Sequence, residues 1–121
     1  MSTEVTIYGI RNCDTMKKAR AWLDGRGINY RFHDYKKDGV DRDRLGQWLR
    51  LVDWPVLLNR AGTTFRKLPD VDKSDLDADR AVDLMVTYPS MIKRPVLDVD
   101  GRITVGFSTE KYEQVFGPAP A

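Results

Sequence analysis

Apolar stretches with different spacings open the chain. Val5 to Ile10 predicts a short strand, with Val5, Ile7 and Gly9 on one face and Thr6, Tyr8 and Ile10 on the other. From Thr15 to Arg26 the apolar residues recur at helical spacing, which predicts a helix with one apolar face. Asn29 to Tyr35 is rich in aromatic residues and predicts a second strand. A strand, a helix and a strand in this order predict a βαβ unit with parallel strands.

The middle of the chain has a different pattern, and we interpret about 41–91 as a helical insert within the domain. It contains three predicted helices: one capped by Asp41, a short one opened by Pro55, and one over Asp77 to Thr87. Residues 36–39 and 59–65 predict irregular loops. The acidic run over 70–79 lacks the spacing of a calcium loop and indicates a solvated face.

The end of the chain returns to strands. Pro95 to Val99 and Ile103 to Phe107 flank Asp100-Gly101, a dipeptide that predicts a tight hairpin turn. Ser108 or Thr109 can cap a last helix, with three residues inward: Tyr112, Val115 and Phe116. Pro118 to Ala121 predicts a loose tail. The predicted order is therefore βαβ, a helical insert, then ββα.

Composition places the chain among globular proteins, because 41% of its 121 residues are hydrophobic. That length predicts a single domain, 1–121. A formal net charge of +2 argues against direct nucleic-acid binding, which usually requires a concentrated basic face. No apolar run is long enough to span a bilayer, and residues 1–4 lack the features of a signal peptide. We therefore expect a cytoplasmic protein.

Cys13 is the only cysteine, so it forms no internal disulfide, and with a single histidine it cannot build a structural zinc site. It lies between a predicted strand and a predicted helix, where backbone N–H groups and the helix dipole lower the pKa of a thiol. Nearby side chains could add to this effect, namely Arg11, Lys17 and Lys18 by charge and Thr15 by its hydroxyl. The alternative is a buried structural cysteine.

Arg94 lies directly before the predicted third strand. Its guanidinium could bind a carboxylate, a sulfonate or an oxyanion near Cys13. Pro95 could follow a cis peptide bond. The alternative for Arg94 is a solvated surface arginine. His33 could act as a catalytic base, or it could simply pack on its strand.

Four segments together resemble the ArsC/Spx family, and most closely its YffB branch: Tyr8 to Thr15, Phe32 to Tyr35, Leu57 to Leu68 and Ile92 to Pro95. The resemblance extends over nearly the whole chain, from about Val5 to Phe116. It implies an α/β, thioredoxin-like fold with a mixed sheet and a helical insert between the second and third strands.

The resemblance also implies the roles of individual residues. Cys13 would be the catalytic cysteine, Arg94 a catalytic residue that approaches it, and Pro95 the cis-proline of thioredoxin-like sheets. Substrate or glutathione binding would fall to Asn12, Thr15, Lys17, Arg60 and Pro95. We expect no metal and no bound cofactor, with glutathione as a co-substrate.

The chain lacks some residues that arsenate reductases and Spx regulators of the family carry. Arsenate reductases of the family use the cysteine with three arginines, and Arg94 matches one of them. Arg60 lies only adjacent to the second position, and Phe107 replaces the third. Met16 stands where Spx regulators often carry a second cysteine.

We therefore predict a monomeric thiol oxidoreductase that acts with glutathione or a glutaredoxin on a small-molecule or disulfide substrate. Two alternatives remain open. One is arsenate reduction coupled to glutathione and glutaredoxin. The other is a non-catalytic, Spx-like regulator that binds RNA polymerase. None of the three involves a membrane or direct contact with nucleic acid.

Overall fold

The computed structural model describes residues 4–117, so residues 1–3 and the predicted tail, Pro118–Ala121, lie outside it. Its elements in chain order are β1 (Val5–Gly9), α1 (Asp14–Gly25), β2 (Arg31–Asp34), α2 (Tyr35–Asp38), α3 (Arg42–Leu49), α4 (Trp54–Leu57), α5 (Thr63–Arg66), α6 (Asp70–Lys73), α7 (Ala78–Thr87), β3 (Val96–Val99), β4 (Arg102–Val105) and α8 (Thr109–Phe116). The chain forms two compact units. One comprises the chain up to Asp34 and from Arg94 onwards, and the other is Tyr35–Lys93.

The first unit contains a four-stranded mixed sheet in the order β2-β1-β3-β4. β1 and β2 are parallel and are connected through α1, whereas β3 is antiparallel to β1 and to β4. Asp100 and Gly101 join β3 to β4 with positive φ angles of 51° and 91°, as a type I′ turn requires. This arrangement confirms the predicted hairpin and the thioredoxin-like α/β fold, with the helical segment between the second and third strands.

The core of the first unit joins side chains from β1, α1, β3 and α8. Its buried members are Val5, Ile7, Met16, Ala19, Leu23, Leu97 and Tyr112. Ser108 caps α8 as predicted, and its Oγ accepts the backbone N–H of Lys111 at 3.1 Å. The prediction that Val115 points inward is wrong, because its side chain is 39% exposed. The inward stripe of α8 runs through Tyr112 and Phe116, four residues apart, and Val115 lies about 100° around the helix from Phe116.

The second unit, Tyr35–Lys93, is mainly helical and contains the segment predicted as an insert over about 41–91. Asp41 caps α3 as predicted, whereas Asp77, predicted as the first residue of a helix, is the N-cap residue of α7. Each carboxylate accepts the backbone N–H three residues further on, at 2.8 Å. Within residues 4–117 no helix combines the length and apolar character needed to cross a membrane.

Two segments predicted as loops contain one-turn helices instead. α2 begins at Tyr35, which had been expected to end a strand, and α5 covers Thr63–Arg66. Both helices carry a buried aromatic ring, Tyr35 at 1% exposure and Phe65 at 8%. A single helical turn is unstable by itself. Burial of these rings therefore stabilises the two turns, and local propensity does not reveal it.

Candidate active site

Cys13 is the N-cap residue of α1 and has an extended backbone, with φ −132° and ψ 129°. Its carbonyl accepts the N–H of Lys17 at 3.0 Å, which starts the helical hydrogen-bond pattern. The side chain is half-buried and packs against the core of the first unit. The thiol is thus placed at a helix N-terminus with part of its surface accessible, unlike a fully buried structural cysteine.

The surroundings of the Cys13 sulfur stabilise its thiolate form. Partial burial raises the pKa of the Cys13 thiol, since it removes water from the charged form. Hydrogen bonds from the Met16 backbone, from the Arg94 side chain and from the Thr15 backbone lower the pKa, and so does the Arg94 charge. The lowering contributions prevail, so the pKa of Cys13 lies below its ordinary value.

Arg94 is brought to Cys13 by its place directly before β3. The Arg94–Pro95 peptide bond is cis, as predicted. The carbonyl of Pro95 accepts the N–H of Gly106 at 2.8 Å, which extends the pairing of β3 and β4 by one residue to Pro95, next to Arg94. The guanidinium is half-buried and donates a hydrogen bond to the Cys13 sulfur. It is therefore not the solvated surface arginine of the alternative interpretation.

The other predicted binding residues differ in how the structure places them. Asn12 is exposed in the turn before Cys13, and Lys17 is exposed on the first turn of α1. Thr15 reaches the sulfur through its backbone N–H rather than through the predicted hydroxyl. Arg60 belongs to the second unit, where its guanidinium lies 5.6 Å from the ring centroid of Trp54.

Phe107, which the family resemblance predicts to replace an arginine, is part of an aromatic cluster. Its ring meets the ring of Tyr112 edge-on, at an interplanar angle of 87° and a centroid distance of 4.8 Å. It also packs against the core that contains Cys13 at its margin. An apolar ring in this setting provides no charge for binding an oxyanion.

His33 lies in β2 opposite Tyr8 of β1, and the two rings pack at a centroid distance of 4.8 Å. This contact fits the interpretation of His33 as a packed strand residue. Among residues 4–117, no three side chains of histidine, cysteine, aspartate or glutamate converge as a metal site would require.

The sequence predicts backbone donors near Cys13 but does not identify Met16 as one of them. Met16 is fully buried, yet its backbone makes the first of the hydrogen bonds that lower the pKa of Cys13. A backbone donor leaves no mark on residue type. The available signal was Gly9, because a glycine inside a strand often marks a close approach of another element.

Comparisons with known proteins show the family to which the chain is similar. The ArsC family profile matches residues 8–115. The solved structure of the YffB protein has 54% sequence identity and a TM-score of 0.88, and the match covers 91% of this chain and 96% of that one. An arsenate reductase (ArsC) related protein from Brucella melitensis has 59% identity and a TM-score of 0.76, with 96% and 97% covered.

A more distant similarity connects the chain to regulators. The global transcriptional regulator Spx of Listeria innocua is 27% identical over 109 residues. The aligned part covers 88% of this chain and 82% of the regulator. The similar proteins therefore include reductase-related proteins and regulators of transcription.

Proposed function

Since the chain belongs to the ArsC family, we propose that it is a thiol oxidoreductase with Cys13 as its nucleophile and glutathione as its co-substrate. One observation carries this proposal. The Cys13 sulfur receives hydrogen bonds from two backbone N–H groups and from the guanidinium of Arg94, which lower its pKa. The thiolate is the nucleophilic form of cysteine, so this arrangement favours attack on a disulfide sulfur.

The substrate class is a mixed disulfide of glutathione with another thiol. The Cys13 thiolate attacks the glutathione sulfur, so a new S–S bond joins Cys13 to glutathione. The substrate S–S bond breaks, and its electron pair leaves with the other thiol, which takes a proton from water. A second glutathione, as thiolate, then attacks the glutathione sulfur held by Cys13. The products are oxidised glutathione and the regenerated Cys13 thiolate.

This sequence of steps suits a chain with one cysteine, because the resolving thiol comes from outside. A glutaredoxin thiol could replace the second glutathione.

Formation of the mixed disulfide removes the negative charge from Cys13. The Arg94 guanidinium can then pair with a carboxylate of glutathione, a good geometric match for its planar donor fork. We place this activity in the cytoplasm, where glutathione is kept reduced.

Under the same proposal, glutathione also contacts residues that are neighbours of Cys13 and Arg94 in the sequence. Asn12, Thr15 and Lys17 flank Cys13 along the chain, and Pro95 follows Arg94. Backbone groups of Thr15 and exposed polar side chains of its neighbours suit a peptide-like co-substrate. Arg60 is retained as a proposed anion-binding residue.

Arsenate reduction is a second candidate, supported by the similarity to an arsenate reductase related protein. The aromatic packing of Phe107 argues against it, because the ring supplies no charge to an arsenate trianion. Each charged hydrogen bond that is missing costs about 1.5–3 kcal/mol of binding.

A regulator that binds RNA polymerase is a third candidate, supported by the similarity to Spx. Met16 excludes a disulfide between that position and Cys13. A pull-down with purified RNA polymerase distinguishes this candidate from the enzymes. Polymerase binding equal in the native protein and in Cys13→Ser, without thiol turnover, would support it against our proposal.

The test of the proposed function is a comparison of two substrates under one set of conditions. The native protein receives glutathione with either the mixed disulfide of glutathione and 2-mercaptoethanol or arsenate, and NADPH oxidation through glutathione reductase reports turnover. The arsenate reaction also contains glutaredoxin. We expect the mixed disulfide to react at least about a hundredfold faster, because of the missing charged hydrogen bonds. Equal or faster arsenate turnover would contradict the assignment.

A further inference from the structure

Gly9, the last residue of β1, lies against the first turn of α1 with no room for a side chain. A Cβ atom built on Gly9 would lie 2.2 Å from Sδ of Met16 and 2.8 Å from its Cε. Gly9 does not have a positive φ angle, so its backbone conformation does not require glycine. An alanine at this position would force the Met16 side chain to shift from its observed place.

Met16 links this close approach to the reacting thiol. Its side chain is fully buried in the core of the first unit, three residues after Cys13. Its backbone lies in the first turn of α1 and donates to the Cys13 sulfur. The Met16 side chain therefore connects the first turn of α1 with the end of β1.

We propose that Gly9 and Met16 are positioning residues. The Met16 thioether packs against Gly9, which has no side chain, and this contact keeps the N–H groups of Thr15 and Met16 directed towards the Cys13 sulfur. The inference rests on Cys13 being the reacting thiol of the proposed function. Neither residue contacts a substrate through its side chain. Both act through the geometry of the first helical turn.

The experiment measures the alkylation rate of Cys13 against pH in the full-length protein and in Gly9→Ala, Met16→Ala and Met16→Leu. Loss of one backbone hydrogen bond to a thiolate should move the alkylation midpoint upward by about one pH unit. We expect this shift in Gly9→Ala and in Met16→Ala. Met16→Leu keeps most of the buried volume, so its midpoint should stay near that of the native protein.

Two control variants separate positioning from general loss of stability. Leu23 is as fully buried as Met16 on the same helix, so Leu23→Ala should lower the unfolding temperature without moving the midpoint. Gly25 has open space where a Cβ atom would lie, so Gly25→Ala should neither lower the unfolding temperature nor move the alkylation midpoint. If Gly9→Ala does not fold, the comparison of Met16→Ala with Leu23→Ala decides the question.

The inference is overturned if Met16→Ala retains the native midpoint, or if Leu23→Ala shifts it as much as Met16→Ala does. This readout does not depend on which disulfide the protein reduces. A native midpoint that is low and sensitive to Met16, in a protein without disulfide turnover, would support the positioning role and contradict the proposed function. The two failures are therefore distinguishable.

Discussion

Replacement of Cys13 by serine is expected to reduce turnover of a glutathione mixed disulfide to the uncatalysed rate, a loss on the order of a thousandfold or more. Serine nearly preserves the size of the side chain, so the fold should be unchanged. Its hydroxyl does not ionise near neutral pH and forms no disulfide. Because Cys13 is the only cysteine, no other thiol of the chain can substitute for it.

The measurement combines steady-state turnover with mass spectrometry. The native protein incubated with oxidised glutathione should gain one glutathione, and Cys13→Ser should gain none, since the chain has a single cysteine. Circular dichroism and thermal unfolding of both proteins provide the control for folding. Turnover by a well-folded Cys13→Ser protein at the native rate would contradict the proposed nucleophile.

Replacement of Arg94 by alanine is expected to have the second largest effect. The variant loses both the hydrogen bond and the charge that Arg94 contributes to lowering the pKa of Cys13. The pKa of Cys13 should therefore rise by about one unit or more, as is usual when an adjacent opposite charge is removed. The alkylation midpoint then moves to higher pH, and at pH values well below the native midpoint the thiolate fraction falls about tenfold.

Arg94→Lys and Arg102→Ala provide the matched comparisons. Lysine keeps the charge but not the planar donor fork, so Arg94→Lys should fall between the native protein and Arg94→Ala. Arg102 is exposed in β4, and its replacement by alanine changes the net charge by the same amount. Arg102→Ala should leave the midpoint unchanged. An unchanged midpoint in Arg94→Ala would show that Arg94 does not stabilise the thiolate.

The predictable parts of the fold are those with strong local signals. Asp41 precedes an apolar stripe and forms the expected cap, the helix predicted from Asp77 is present over Ala78–Thr87, and Asp100-Gly101 forms the expected turn. The one-turn helices α2 and α5 were not predictable in this way, since four residues carry almost no periodicity. Tyr35 and Phe65 stabilise them through tertiary burial, which a local pattern does not contain.

The parts of the candidate site that depend on a particular side chain were predictable from the sequence, and the parts that depend on backbone groups were not. Cys13 is identified by its place between a strand and a helix. Arg94 is far from it in the sequence, so its approach followed from the family resemblance and from the position before β3. The backbone donors of Thr15 and Met16 carry no residue signature. Their role depends on the contact between Gly9 and Met16, which only the folded chain reveals.

The central claim is that the native site stabilises the thiolate of Cys13 and lowers the pKa of this thiol below that of a free cysteine. The most direct test is the rate of iodoacetamide alkylation of the native protein measured against pH, because only the thiolate reacts. Hydrogen bonds from Met16, Arg94 and Thr15 lower the pKa of Cys13, so we predict a midpoint below that of a free cysteine, about 8.5. A midpoint at or above that of free cysteine would contradict the claim.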